Sequence, residues 1–122
     1  PRSTLFPYTT LFRSGRSAAT LLLAARSKPT AAIAINDMMA IGIGIGLKQL
    51  GKRLPQDFSL IGIDDIFFSA ANDPPLTTLR QPIQAMADAA VQRILAPGAA
   101  SAGGELFAPE LIVRASTAAP PT

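Results

Sequence analysis

Thr30-Ala31-Ala32-Ile33-Ala34-Ile35-Asn36-Asp37-Met38-Met39-Ala40-Ile41-Gly42 is the stretch whose reading decides the fold. Residues 31–35 are a short apolar run without polar alternation, bounded by Pro29-Thr30 before it and Asn36-Asp37 after it. Such a run predicts a strand buried on both faces. Asn36-Asp37 stops the strand, and Asp37 is a good cap for a helix starting at Met38. Residues 58–63, followed by Asp64-Asp65, repeat the design. Two buried strands, each ending in short polar side chains, are where a ligand is expected.

Before this stretch, residues 16–26 carry Ala18, Leu21, Leu22, Leu23 and Ala25 between terminal charges, the pattern of a helix with a broad apolar face. Ser27-Lys28-Pro29 ends it, because the residue before proline is pushed out of the helical region. After it, residues 38–50 hold a local conflict. Ile41-Gly42-Ile43-Gly44-Ile45-Gly46 alternates with the period of a strand, and each interior glycine costs a helix ~1 kcal/mol relative to alanine. Met38-Met39-Ala40 and Leu47-Lys48-Gln49-Leu50 are good helix formers, and Gly51 is placed to terminate, so a helix is expected. Residues 52–57 read as a surface turn, 64–73 as a loop with one helical turn at 67–71, and 76–80 as a third strand. Pro82 suits the first turn of a helix reaching residue 95. A loop of small residues over 97–104 precedes a last strand centred on 110–114, and residues 118–122 are expected to be a disordered tail. Strands alternating with helices predict an α/β fold with a largely parallel sheet flanked by helices.

Composition narrows the chemistry. The 122 residues are 48% hydrophobic, enough for a core, and include no cysteine and no histidine. Disulfides, thiolate metal sites, cysteine nucleophiles and histidine-dependent triads are excluded from within the chain. No uninterrupted apolar run reaches the ~20 residues that cross a bilayer, and no signal peptide is evident. The net charge of +3 and pI of about 10.0 invite a nucleic-acid reading. That signal is weakened by the first residues. Thr4-Leu5-Phe6-Pro7-Tyr8-Thr9-Thr10-Leu11-Phe12-Arg13-Ser14 matches, codon for codon, the in-frame translation of a common short-read sequencing adapter. Residues 1–14 are therefore expected to be non-native. Without them Arg2 and Arg13 leave, no acid leaves, and the charge falls from +3 to +1.

Asn36, Asp37, Asp64 and Asp65 all follow the C-terminal end of a strand, the edge where parallel sheets bind ligands. Their amides and carboxylates can hydrogen-bond sugar or nucleobase groups. The competing readings are a helix cap for Asp37 and a turn former for Asp65. Asp64-Asp65 as a magnesium or catalytic pair is weak, because successive side chains diverge and no third ligand is in view. Gly42-Ile43-Gly44-Ile45-Gly46 fails the dinucleotide fingerprint in spacing and in position. Its glycines suit close packing of the helix against the sheet or a partner subunit.

Over residues 20–117 the chain resembles the end of the effector-binding domain of the lactose-repressor/galactose-repressor family. The matching residues are Pro29-Thr30-Ala31, Asn36-Asp37 with Met39-Ala40-Ile41-Gly42, Gly51 with Leu54-Pro55-Gln56-Asp57, and Ser59 through Asp65. Pro74-Pro75-Leu76-Thr77-Thr78-Leu79-Arg80-Gln81-Pro82 also matches, as do Pro109-Glu110-Leu111, Val113-Arg114 and Ser116-Thr117. Gly44 and Gly46 depart from the family pattern, where alanine, leucine or arginine are more usual. The resemblance implies a partial periplasmic-binding-protein-like (type I) sensor domain over residues 15–117. It implies a small-molecule effector, a sugar or related metabolite, touching Asn36, Asp64, Gln81 and Ile83. It places Met38, Ile41 and Ile45 at a homodimer interface of the intact parent. The helix over 82–96 is expected to pack, through an otherwise exposed apolar face, on an N-terminal subdomain outside this chain. DNA would be bound only through a helix-turn-helix that is likewise outside it. No catalytic residue, metal, cofactor or membrane partner is implied, and the location is cytoplasmic. The alternatives are a periplasmic sugar-binding protein of an ABC transporter and a small nucleotide-dependent enzyme.

Overall fold

The computed structural model describes residues 7–95 and 104–120. Helices and strands alternate: α1 (Pro7–Ala24), β1 (Ala31–Ile33), α2 (Asp37–Gln49), β2 (Ser59–Ile63), α3 (Phe67–Ala71), β3 (Thr77–Arg80), α4 (Ile83–Leu95) and β4 (Glu110–Ile112). The four strands form one sheet in the order β1-β2-β3-β4. The first two pairings are parallel, with Ile33 opposite Ile61 and Ile61 opposite Thr77; β4 returns antiparallel, with Leu111 opposite Leu79. A mixed α/β architecture with a mostly parallel sheet is thus in place. None of the described helices is long and apolar enough to cross a membrane.

The conflict in α2 resolves as a helix, and its glycines explain why. A Cβ at Gly42 would overlap the Phe12 carbonyl oxygen of α1, and one at Gly46 would lie 2.6 Å from the Ala19 Cβ. Two backbones meet where side chains would hold them apart, so tertiary contact offsets poor helix propensity. The expected start of α1 at residue 16 is corrected to Pro7. The adapter-like stretch continues the helix, with proline at its first position, where a missing N–H costs nothing. Leu11 and Phe12 are half-buried, and Phe12 packs against the core.

That core lies between α1, α2 and one face of the sheet, and it includes Ala19, Ala40, Ile43, Leu47, Phe58, Leu60 and Leu76. The opposite face is more open: Ile61, Ile63 and Leu79 at its centre are half-buried, and its margins are exposed. Ile33 and Ile35 are 70% and 72% exposed, which corrects the expectation of a first strand buried on both faces. The run is apolar on both sides, but the described helices cover only one. Helix α4 buries none of its residues, and Ile83, Val91, Ile94 and Leu95 stand in solvent, as expected of an apolar face without a neighbour. The end of the chain is partly tied down. The Ala118 N–H donates to Ser59 Oγ at 3.0 Å, so Ala118, expected in a disordered tail, is held against β2. Residues 121–122, and the loop at 97–103, lie outside the described residues.

Candidate functional site

Asn36 has extended backbone (φ −155°, ψ 167°), and its Oδ1 accepts the Met39 N–H at 2.9 Å. It is the N-cap of α2. The expectation that Asp37 caps the helix is corrected, because a cap oxygen must reach the N–H two or three positions on, and Asn36 to Met39 is that offset. With Oδ1 engaged, the half-buried Asn36 keeps its Nδ2 amide as a donor.

Asp37, the first helical residue, is completely buried. Its Oδ1 accepts from Thr78 Oγ1 at 2.6 Å, and its Oδ2 accepts from Ser69 Oγ at 2.6 Å and from the Ile66 N–H at 2.9 Å. The carboxylate lies flat on β2: a Cβ at Gly62 would overlap its Oδ1. A buried carboxylate is costly unless hydrogen-bonded, and here three donors, from β3, from α3 and from the N-cap of α3, satisfy it. Among the described residues no buried side-chain polar atom lacks a partner.

Asp64 and Asp65 follow β2 in an unusual backbone. Their φ angles are +113° and +52°, a region that favours glycine and costs other residues about 1–3 kcal/mol each. Contacts hold them there. The Asp64 N–H donates to the Leu79 carbonyl at 2.9 Å and the Asp65 N–H to Thr78 Oγ1 at 3.4 Å. The Asp65 carboxylate takes 2.6 Å contacts from both the Arg80 and the Arg114 guanidinium, and its side chain is only 9% exposed. Burial pushes the Asp65 carboxyl up, but hydrogen bonds from Arg114 and Arg80 outweigh it and hold its pKa below the ordinary carboxylate value. Two guanidinium partners make Asp65 half of an ion-pair cluster, beyond the turn former expected. Asp64 by contrast is exposed, and its Oδ1 accepts from Gln81 Nε2 at 2.7 Å.

The residues named from sequence fall as follows. Asn36 and Asp64 each stand three positions beyond a paired residue, Ile33 and Ile61, on adjacent parallel strands. They share one edge of the sheet. Gln81 touches Asp64; Ile83, at the start of α4, is 62% exposed. An open cavity of about 490 Å³ is lined by Ile35, Ile63, Leu79, Gln81, Pro82 and Met86 among others; of the four named residues only Gln81 lines it, while Ile35 and Ile63 are the chain neighbours of Asn36 and Asp64. A larger concavity of about 660 Å³ between α1 and α2 shares none of these residues. Met38 and Ile45 are half-buried. Ile41, expected at a dimer interface, is only 9% exposed and belongs to the chain's own core, against which Phe12 packs. Thr78, Ser69 and Arg114 escape sequence reading, since their partners lie 41, 32 and 49 residues away and no local pattern marks them.

An α/β sheet with polar groups gathered at the carboxyl ends of two parallel strands defines a ligand-binding class of domain. Residues 3–117 match the periplasmic binding protein-like domain family, and the chain belongs to it. It is 45% identical over 95 residues to the HTH-type transcriptional regulator MalR of Streptomyces coelicolor, a match covering 75% of this chain and 28% of that protein. Its structure is similar to that of a lac repressor dimer bound to operator and an anti-inducer, with a TM-score of 0.79, 33% identity, and coverage of 88% of this chain and 38% of the other. It is also similar to a LacI family transcriptional regulator from Enterococcus faecium with bound ribose, with a TM-score of 0.72, 32% identity, and coverage of 88% and 40%. The resemblance to the lactose-repressor/galactose-repressor family holds, and the chain spans well under half the length of these relatives.

Proposed function

We propose that this chain is part of the sensor domain of a DNA-binding transcriptional regulator, and that its ligand is a sugar or related polyhydroxylated metabolite. One observation carries the reading. Asn36 offers a donor and Asp64 an acceptor at the carboxyl ends of neighbouring parallel strands. A hydroxyl is both donor and acceptor, so a polyhydroxylated ligand satisfies both groups with one kind of substituent. Gln81 orients Asp64, and Ile83 lends an apolar edge. The names of the relatives support regulation over transport and over catalysis.

The same reading assigns residues 1–14 to a translated adapter and residues 15–117 to the C-terminal part of the sensor. It packs α4 on a subdomain outside this chain, pairs parent subunits through the α2 flank at Met38 and Ile45, and places the regulator in the cytoplasm. DNA is contacted by a helix-turn-helix elsewhere in the parent. The response is a population shift, in which the ligand favours the sensor conformation it binds more tightly.

The test is calorimetric titration of the intact parent with pentoses, hexoses and disaccharides. A sugar should bind, and Asp64→Asn should weaken it by about tenfold to a hundredfold, the scale of a hydrogen bond to a charged group. Binding of nucleotides but no sugar would overturn the reading in favour of a nucleotide-dependent protein.

A further inference from the structure

Asp37, Thr78 and Gly62 have no place in the ligand scheme above, yet they converge beneath the turn that carries Asp64. We propose that Asp37 is a positioning residue for the binding crevice: it touches no ligand and holds the 64–66 turn so that the Asp64 carboxylate faces Gln81. Its value to ligand binding rests on the reading of Asp64 as a ligand contact, but the geometry it fixes is measurable with no ligand present.

The argument starts from the backbone. Asp64 sits at φ +113°, outside the left-handed region that aspartate tolerates, while Asp65 at +52° lies within it, so it is Asp64 that its surroundings must hold. The two N–H groups that follow Asp64 both lead to Asp37. Ile66 donates directly to Oδ2, and Asp65 donates to Thr78 Oγ1, whose own proton goes to Oδ1. Ser69 Oγ ties the start of α3 to the same carboxylate. Gly62 leaves the space the carboxylate fills. On the far side, Asp65 is clamped by Arg80 and Arg114. The turn is gripped from both sides, and Asp64 projects from its outer surface to Gln81.

Asp37 is also the neighbour of Asn36. The first turn of α2 therefore anchors both polar groups of the crevice, Asn36 through its cap and Asp64 through Asp37. A displacement of this helix end moves donor and acceptor together, which couples the flank of α2 to the crevice through one rigid joint.

The experiment uses the 122-residue chain, labelled with ¹⁵N. The Gln81 side-chain amide signal reports whether Asp64 is in place, and Asp64→Ala marks its unbonded position. Thr78→Val should move the Gln81 signal towards that position. It should speed hydrogen exchange at the Asp65 and Ile66 amides by about tenfold, while Leu47 and Leu60 stay protected. Thr78→Ser, which keeps the hydroxyl, should restore both readouts, and Asp37→Asn should show the same shift, larger. If Asp37→Asn does not fold, the Thr78 pair decides alone. The proposal is overturned if Gln81 does not move in Thr78→Val, or if the sheet and α2 loosen together and Thr78→Ser restores nothing. A parent in which Asp64→Ala leaves sugar binding intact would overturn the functional reading and leave these signals unchanged.

Discussion

On the face of the sheet beneath α2, Leu60 is 2% exposed and Ala34 5%; one residue along β1, on the opposite face, Ile33 and Ile35 are 70% and 72% exposed. Leu111 and Val113 on that second face are 53% and 70% exposed. Both faces are apolar, so side-chain hydrophobicity does not decide which one is covered. Fit does. The covered face meets a helix whose glycines and buried carboxylate are shaped to what lies against them, down to the missing side chain of Gly62. The opposite face is half-buried at Ile61, Ile63 and Leu79 and presents exposed branched side chains at its margins, with only an open cavity between it and Met86 of α4.

The contrast can be broken most directly at Leu60. Leu60→Ala leaves a cavity between sheet and α2 and should cost about 2–5 kcal/mol in chemical denaturation. A loss below 1 kcal/mol would mean that the covered face is no better packed than the open one. The ion-pair cluster at the rim comes next. Asp65→Asn should cost about 1–3 kcal/mol near neutral pH, as a hydrogen-bonded charge is lost beside two arginines. Because the Asp65 pKa is lowered on folding, its stabilisation is complete above the unfolded value of about 3.9 and is lost as pH falls through the folded value. The gap in melting temperature between wild type and Asp65→Asn should therefore close in acid; a gap that holds constant to pH 2 would argue against it. The smallest effect belongs to the margins of the open face. Ile33→Thr and Val113→Thr should change stability by about 0.5 kcal/mol or less while raising solubility, and a loss as large as that of Leu60→Ala would show that this face is covered in solution.

How much of this was written locally in the sequence differs from element to element. The helical turn at 67–71 and the strand ending at Ile63 were legible, because runs and breakers a few residues apart determine them. The choice of cap is not legible, since Asn36 and Asp37 are equally good capping types and only the reach to Met39 separates them. The glycines of α2 could be read as close packing, but not against which neighbour. The edge holding Asn36 and Asp64 was legible from the strand ends; the network beneath it was not. Asp37 draws its partners from 29 to 41 residues away, a distance over which neither periodicity nor spacing carries information. The start of α1 is not legible either, because a foreign-looking stretch can still extend a helix when it supplies half-buried side chains beside a smooth glycine surface.

The strand order also has a consequence for how copies of this chain meet. β1 is the outermost strand beside β2, and among the described residues no other strand pairs with its free side. Its backbone N–H and C=O groups on that side form an open template. With the neighbouring face apolar and open, association has two routes at right angles: growth of the sheet strand by strand along β1, and stacking of sheets through Ile33, Ile35 and Val113.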